Sequence, residues 1–249
     1  MFYFCKIIKN LWQIFLLVTV VFFWVNTAYS AESVQKIKLQ ARDYYNGYRV
    51  GQSYEKALKL YMKAARRGDA EAQYISGGMY FKGLGTKRDL KKAFTLLHQA
   101  ALNGKSSPIS QQIIGQAFLV GSGVPKNYKK AQKWYALSAE NGNRDAQNEL
   151  GYMYFAGNGV KQNSAKAAKL FLQAAQNGLA IAQYNMGILY YTGNGVKATN
   201  LAEAYSWMNL AASNGHQAAI AAREFLETTL TKEELIKAQQ LSLSLQKKF

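Results

Sequence analysis

A short glycine signature returns four times at a nearly fixed interval, and it constrains the fold more than any other feature of this sequence. Its form is G-x-G followed by Val or Thr, and its first glycines are Gly83, Gly121, Gly157 and Gly193. The intervals are 38, 36 and 36 residues. A constant period of this length is typical of small structural units that stack on copies of themselves, because no single unit can bury its apolar face. The sequence therefore predicts a repeat array, whose function is expected on an extended surface and not in a catalytic pocket.

The clearest copy of the unit, the block from Arg144 to Gly178, reads as a helical hairpin. Apolar residues recur at helical spacing in both halves: Ala146, Leu150, Met153 and Tyr154, then Ala167, Leu170, Phe171, Ala174 and Ala175. The first helix is predicted to end at Gly157 because glycine adopts the left-handed conformation without a Cβ penalty. Asn163 or Ser164 is expected to cap the second helix. Small residues such as Gly151 are expected where the two helices cross closely.

The other copies align with this block column by column. One column holds glycine, and three residues later comes an aromatic ring: Gly77 with Tyr80, Gly115 with Phe118, Gly151 with Tyr154, and Gly187 with Tyr190. The segment from Tyr54 to Gly68 reads as a further second helix, preceded by a degenerate first helix around Ala41 to Tyr45. The alignment therefore predicts five hairpins. Extra residues near Ser106–Pro108 and near Thr199 fall in predicted loops, which tolerate insertions.

Together these columns closely resemble the Sel-1-like repeat, a relative of the tetratricopeptide repeat. The shared pattern is A-x-x-x-L-G-x-x-Y-x-x-G-x-G-V, then K-A-x-x-W/F and A-A-x-x-G, over roughly Ala41 to Gly215. The resemblance implies an all-α fold, a right-handed superhelical solenoid of about five hairpins over residues 31–217. The first repeat departs from the pattern because it lacks G-x-G. Where the family favours Asp, the chain has Asp89, Asn127, Asn163 and Thr199.

The C-terminal segment, residues 218–249, is expected to form capping helices. The stretch from Thr231 to Phe249 is similar to the terminal helix that often closes these arrays. Thr231 and Glu234 have the spacing of a capping box. A closing helix is needed because the last repeat would otherwise leave an apolar face in water.

The N-terminus has the three parts of a secretory signal peptide, assigned to residues 1–30. Lys6 and Lys9 precede an apolar run from Leu11 to Val25, and Ala28-Tyr29-Ser30 supplies small residues before Ala31. The run is shorter than the roughly 20 residues that span a bilayer. The pattern predicts cleavage near Ser30/Ala31 and a periplasmic or secreted protein with no integral membrane span. An uncleaved helix that anchors the chain in the inner membrane is the alternative.

Cysteine is almost absent from this chain. Cys5 is the only one, and it would leave with the signal peptide. The mature protein would then hold neither a disulfide framework nor a cysteine nucleophile. One branch of the resembled family carries a disulfide in every repeat and is described as penicillin-binding. This chain lacks that feature, so the activity is not carried over.

The chain is strongly basic, with a formal net charge of +17. Its lysines cluster early in the second helices, which the resemblance places on a convex outer face: Lys91, Lys92, Lys129, Lys130, Lys133, Lys166 and Lys169. One interpretation is attraction to an acidic partner or to anionic envelope material. The other is a solvated face that keeps an exported protein soluble. Export and the lack of a nucleic-acid motif argue against nucleic acid.

The first helices offer a contrasting, mostly uncharged surface. The resemblance places them on the concave face, and the predicted groove residues are Tyr74, Phe81, Leu119, Asn148, Tyr152, Phe155, Tyr184, Ile188 and Tyr191. Aromatic side chains exposed in a groove are good binding material, since they bury a large area at low entropic cost. Alternatively, the column of Phe81, Leu119, Phe155 and Tyr191 packs between adjacent repeats as core.

Catalytic chemistry has little support in the sequence. The two histidines, His98 and His216, lie over 100 residues apart and match no ligand spacing. The G-x-G elements end helices and lack the preceding strand and following lysine of a phosphate loop. No catalytic residue, metal or cofactor is predicted.

The sequence thus predicts an exported bacterial repeat protein that acts as a scaffold for protein–protein contacts in the envelope. Two alternatives stay open. One is a secreted effector or virulence factor that contacts a host protein, and the other is a cell-wall-binding enzyme like those of the beta-lactamase-like branch.

Overall fold

The computed structural model describes residues 33–248, which form helices and loops with no β-strand. The predicted signal peptide and Cys5 lie outside the described residues. The helices are α1 (33–46), α2 (Tyr54–Ala65), α3 (Ala70–Lys82), α4 (Leu90–Leu102), α5 (Pro108–Val120), α6 (Tyr128–Glu140), α7 (Arg144–Ala156), α8 (Ser164–Gln176), α9 (Ala180–Thr192), α10 (Leu201–Ser213), α11 (Gln217–Thr229) and α12 (Lys232–Lys248). The predicted all-α fold is confirmed. We call α1, α3, α5, α7 and α9 first helices, and α2, α4, α6, α8 and α10 second helices.

The chain divides into two compact units between Lys105 and Ser106. One unit contains α1 to α4 and the other contains α5 to α12. The division falls in the loop where the sequence predicts extra residues. Beyond it, Ser107 caps α5 in a capping box with Ser110, and Pro108 occupies the first helical turn, where its missing N–H costs nothing.

Each loop between a first and a second helix is closed at both ends by the same bonds. The first helix ends on a left-handed glycine in four repeats: Gly83, Gly121, Gly157 and Gly193. The second helix begins at a cap whose side chain accepts a backbone N–H three residues on, at 2.9–3.3 Å: Ser53, Asp89, Asn127, Asn163 and Asn200. The N–H of each cap donates to the carbonyl of Tyr44, Tyr80, Phe118, Tyr154 or Tyr190 respectively, at 2.8–3.0 Å. The loop conformation is therefore fixed by local bonds.

Two predictions about these caps are resolved by the structure. Asn163, and not Ser164, caps α8, because its side chain accepts the N–H of Lys166. In the fifth repeat the cap is Asn200, and the alignment to Thr199 was wrong by one residue. The longer loop places Thr199 beside Gly193, where its Oγ1 lies 2.9 Å from the position of a Cβ added to that glycine.

In three of the four signatures, the second glycine packs against the preceding repeat. It has positive φ, and a Cβ added to Gly159 would lie 2.5 Å from the Cβ of Tyr128, the first residue of α6. Gly85 meets the backbone of Tyr54 and Gly195 that of Ser164 in the same way. In the first repeat Arg49 holds this place at φ 60, and no helix precedes α1 within residues 33–248. A side chain is tolerated there because nothing described packs against it.

In four of the five hairpins, the column glycine of the first helix packs against a large side chain of the second helix. A Cβ added to Gly151 would lie 2.9 Å from two ring carbons of Phe171, which is 2% exposed. The corresponding pairs are Gly77 with Leu97, Gly115 with Tyr135, and Gly187 with Met208. The predicted close crossing at Gly151 is confirmed.

A chain of side-chain amides, in which the glutamines are buried and the asparagines are exposed, links neighbouring repeats. Asn177, just after α8, donates through Nδ2 to Oε1 of Gln147 at 3.4 Å, and Gln147 Nε2 donates to the carbonyl of Ala139 in the preceding second helix at 3.3 Å. The same chain runs from Asn103 through Gln73 to Ala65, and from Asn214 through Gln183 to Ala175. We call these residues the amide spine. In the α5–α12 unit, Gln111 accepts from Asn141 but donates instead to Ser106 Oγ.

The C-terminal helices pack on the last second helix. Both α11 and α12 contact α10, and Ser206 of α10 donates to the carbonyl of Ala238 at 2.9 Å. The predicted capping box is confirmed, since Thr231 N–H donates to Glu234 and Glu234 N–H donates to Thr231 Oγ1. The buried side chains of Ala238 and Ser242 mark the face of α12 that covers the array.

Candidate functional site

The first helices of the α5–α12 unit expose aromatic rings on one side. Tyr152 of α7 is 54% exposed and Tyr191 of α9 is 43% exposed. Phe225 of α11, which the sequence analysis did not select, is 54% exposed and meets Tyr191 edge to face with 6.3 Å between ring centroids. We call Tyr152, Tyr191 and Phe225 the aromatic face. Exposed rings of this size present apolar area that a partner can bury.

The other predicted groove residues of this unit are half-buried and support the aromatic face. Tyr184 stacks on His216 with 4.5 Å between ring centroids. Phe155 packs against the core cluster that contains Phe171. Leu119 and Ile188 are also half-buried. The column of Phe81, Leu119, Phe155 and Tyr191 was predicted to be either groove or core. Within it, Tyr191 is solvent-exposed while Phe155 contributes to the core.

Asn148 is 5% exposed and serves as an internal link between two first helices. Its Oδ1 accepts a hydrogen bond from Nδ2 of Asn185 at 3.0 Å. In the α1–α4 unit, the predicted residues Tyr74 and Phe81 are half-buried, and the guanidinium of Arg88 lies 5.1 Å from the Phe81 ring centroid.

A half-buried acid, Glu149, interacts electrostatically with a fully buried phenol, Tyr135. Tyr135 of α6 is fully buried, and its hydroxyl donates to Oε1 of Gln116 at 2.6 Å. Burial raises the pKa of Tyr135, and the carboxylate of Glu149 raises it further. Burial likewise raises the pKa of Glu149, although a hydrogen bond from Asn148 partly opposes the shift. At neutral pH the ionised carboxylate of Glu149 is poorly solvated and therefore destabilises the folded protein.

Replacing this carboxylate should stabilise the protein in a pH-dependent way. Because the pKa of Glu149 is higher in the folded than in the unfolded chain, the folded state binds its proton more tightly, and stability falls as pH rises through the interval between the two values. Glu149→Gln should therefore give a higher Tm at pH 7 and a smaller decline in Tm between pH 4 and pH 7. Thermal melts across that range measure both effects. Glu224→Gln, at an exposed position on α11, is the control, and an equal change there would contradict the assignment to Glu149.

All seven lysines predicted for the basic face are exposed, but three of them also make an internal contact. The ammonium groups of Lys92, Lys130 and Lys166 lie 5.2, 5.3 and 5.0 Å from the ring centroids of Tyr80, Phe118 and Tyr154. Lys56 covers Tyr44 in the same way in the first hairpin. In the fifth hairpin Glu203 stands in place of the lysine. The pKa of Tyr190 is raised mainly by burial and further by the carboxylate of Glu203. Part of the basic charge thus stabilises the hairpins through cation–π contacts.

The remaining lysines of this group lie on the outer side of the second helices. Lys91 belongs to α4, Lys129 and Lys133 to α6, and Lys169 to α8. Lys166 and Lys169 line a cleft of about 510 Å³ between α6 and α8. Charge and cleft together distinguish this side of the unit from the aromatic face.

The described residues were compared with two further kinds of site, a metal-binding cluster and a membrane-spanning helix. Residues 33–248 contain no grouping of three or more His, Cys, Asp or Glu side chains suited to a metal ion. Among the same residues, no helix combines the length and apolar character needed to cross a bilayer.

Comparison with known proteins gives the family. The profile of the Sel1 repeat matches residues 42–69, 70–105, 108–143, 144–179 and 180–216. The chain belongs to the Sel1 repeat family. The five matched segments correspond to the five hairpins that the sequence predicts. Sel1 repeat solenoids generally serve as scaffolds for protein–protein contacts and are generally non-catalytic.

Solved structures of this family share the fold. The protective antigen c5321 of uropathogenic Escherichia coli is 30% identical, with a TM-score of 0.68 over 85% of this chain and 45% of that chain. A Sel1 repeat protein of Oxalobacter formigenes is also 30% identical, with a TM-score of 0.64 over 76% of each chain.

A plant relative shares only part of the array. An F-box protein of Arabidopsis thaliana is 34% identical over 96 residues, which make up 39% of this chain and 25% of that protein. The chain thus spans about a quarter of the plant protein, and it spans less than half of the c5321 chain.

Proposed function

We propose that this Sel1 repeat protein is an exported bacterial scaffold that holds a protein partner on the aromatic face of its α5–α12 unit. The observation that carries the proposal is the exposure of Tyr152 and Tyr191 on the first helices α7 and α9, and of Phe225 on the following helix α11. Large exposed rings gain free energy when a partner buries them, and aromatic anchors dominate binding energy at interfaces.

The surroundings of these rings favour a pre-organised surface. Tyr184 and Phe155 are held by stacking and core packing, and Asn148 is tied to Asn185. A support of this kind keeps the exposed rings in place before a partner arrives, which lowers the entropy cost of binding. Export is supported by the basic, apolar and small-residue parts of residues 1–30. The description of c5321 as a protective antigen is further support for a location outside the cytoplasm.

Removing the two tyrosines should weaken partner capture without unfolding the protein. Tyr152→Ala combined with Tyr191→Ala deletes two rings that are about half in solvent, so Tm should change little. Loss of two anchor residues should lower affinity at least tenfold, or about 1.4 kcal/mol. Pull-down yield from native envelope extract and a thermal melt are measured on the same variants.

In that extract, the N-terminus of the native protein should be at or near Ala31, whereas recovery of intact Met1 in a membrane form would favour the anchored alternative.

Two controls separate this surface from its alternatives. Leu137→Ala removes an exposed apolar side chain from α6, on the other side of the unit, and should leave capture unchanged. Lys129→Glu with Lys133→Glu tests the outer basic charge, and a salt-sensitive loss of capture there would favour anionic envelope material as the ligand. A large drop in Tm with the tyrosine variant, or unchanged capture, would defeat the proposed face. Capture of a partner from a host-cell extract, with none captured from the envelope extract, would identify a secreted effector.

A further inference from the structure

The cleft between α6 and α8 lies on the second-helix side, away from the aromatic face. The two second helices form its walls and α7 forms its floor through Leu150 and Gln147. Its volume of about 510 Å³ is within the range of small-molecule sites, roughly 300–1,000 Å³. Gln147 belongs to the amide spine, so its side chain is already fixed in place by Ala139 and Asn177.

Comparison among repeats shows why this groove is open. Ala136 of α6 stands nine residues after its cap, where α2 has Met62 and α8 has Leu172, both packed against core clusters. On the opposite wall the cleft has Leu170 and Gln173, whereas the corresponding residues of α10 are Trp207 and Leu210, which are 3% and 6% exposed. The same scaffold therefore fills the next groove with apolar side chains and leaves this one empty and polar.

The lining residues define what kind of molecule fits. Three amide side chains, of Gln132, Gln147 and Gln173, offer both donors and acceptors, which match the N–H and C=O groups of a peptide. Leu150 and Leu170 provide apolar contact between them. Amides and small apolar patches in alternation suit a short peptide better than a sugar or a lipid chain.

The cleft carries charged residues of opposite sign at its two ends. Lys169 lies six residues after the cap of α8, and Glu140 lies thirteen residues after the cap of α6. Corresponding helices of consecutive repeats run the same way, so the two charges are about 10 Å apart along the helix axes at 1.5 Å per residue. Glu140 also stands at the C-terminal end of α6, where the helix dipole adds negative potential. The cleft thus attracts a carboxylate at one end and an ammonium group at the other.

We propose that this cleft binds a short peptide of about three residues with free termini. Its carboxylate lies at Lys169, its ammonium group at Glu140, and its amides contact the three glutamines. Three extended residues span about 10 Å, which matches the offset of the two charged residues along the helix axes. This activity is additional to the partner scaffold, because it uses the opposite side of the unit and none of the aromatic face.

The test uses trialanine as the probe and the purified protein as the receptor. Titration followed by isotope-edited NMR should shift the side-chain amide signals of Gln132, Gln147 and Gln173, and calorimetry gives the affinity. Ala136→Leu places in the cleft the residue that α8 has at this position, so the protein should keep its Tm while binding is lost. Lys169→Gln should weaken binding at least tenfold. Lys133→Gln, exposed on α6 outside the lining, should have no effect.

Two further arms make the proposal specific. Trialanine with an acetylated N-terminus and an amidated C-terminus should not bind, because both charged ends are removed. Equal binding of this blocked peptide would overturn the assignment of the two ends. Absence of shifts at millimolar trialanine, or binding that survives Ala136→Leu in a folded protein, would overturn the site itself. Neither result would bear on the aromatic face, which is tested with different variants.

Discussion

Gly159→Ala should destabilise the α5–α12 unit by more than about 3 kcal/mol. The residue has φ 73, a conformation that costs an L-residue about 1–2 kcal/mol. The larger part of the effect comes from packing, since the new Cβ would lie 2.5 Å from Tyr128 Cβ and 2.9 Å from its carbonyl carbon. Backbone atoms at the start of α6 cannot move aside without separating the two repeats. Denaturant unfolding monitored by circular dichroism measures the loss.

Gly157→Ala is the matched control for this prediction. Gly157 has φ 76, so the conformational cost is the same, but its added Cβ would meet Gln162 Cβ at an ordinary 3.5 Å. We expect a loss of only about 1–2 kcal/mol. The difference between the two variants isolates the contact between repeats. Equal losses would show that backbone conformation alone explains the second glycine of the signature.

Gly151→Leu should overpack the centre of a hairpin and cost about 1–3 kcal/mol or more. Its Cβ would lie 2.9 Å from the Phe171 ring and 3.4 Å from the carbonyl of Ala167, and the buried ring has no space to enter. In a repeat array such damage spreads mainly to nearest neighbours. Hydrogen exchange should therefore show lost protection between Asn148 and Tyr190, with α1 to α4 unaffected.

Gly78→Ala, at another glycine within a first helix, should have the opposite effect and stabilise the protein. Gly78 lies in α3 directly after the column glycine Gly77, but no atom lies within 4 Å of its added Cβ. Because alanine is the better helix former, this variant should gain about 0.5–1 kcal/mol. A similar loss at both positions would mean that the glycines of the first helices are not distinguished by packing.

The sequence was sufficient for the features that arise within one hairpin. The left-handed glycine after α7 and the close crossing at Gly151 follow from the period and from local chemistry, which also limited the cap of α8 to Asn163 or Ser164. The C-terminal capping box was also visible, because Thr231 and Glu234 are three residues apart. The cap in the fifth repeat was misplaced because one inserted residue shifts the column at Thr199.

Features that depend on contacts between repeats could not be predicted in the same way. The role of Gly159 depends on Tyr128, a residue of another hairpin. The amide spine left a readable trace, since Gln73, Gln111, Gln147 and Gln183 share one column. Polar residues at such positions are usually taken as solvated, so the trace carried no prediction.

The candidate surfaces show the same limit. Helical periodicity placed Tyr152 and Asn148 on one stripe, but one is exposed and the other is buried against Asn185. Helical periodicity gives the direction in which a side chain points, but not how deeply neighbouring elements bury it. The lysines of the second helices are exposed, and their contacts with Tyr80, Phe118 and Tyr154 depend on side-chain length and ring position, which the sequence pattern does not give. The cleft required a comparison of Ala136 with Met62 and Leu172.

The amide spine has a consequence for how an array of this kind can change in length. Three of the repeats bring one glutamine amide that donates backward to the preceding second helix and accepts from the repeat's own trailing Asn, as Gln147 does with Ala139 and Asn177. A duplicated or deleted hairpin of this kind therefore restores these hydrogen bonds at the new junction and leaves neither amide unpaired. In the final position Ile220 replaces the glutamine, and the column stops where the capping helices begin. Copy number can thus vary over generations at almost no energetic penalty, provided that both ends of the series stay unchanged.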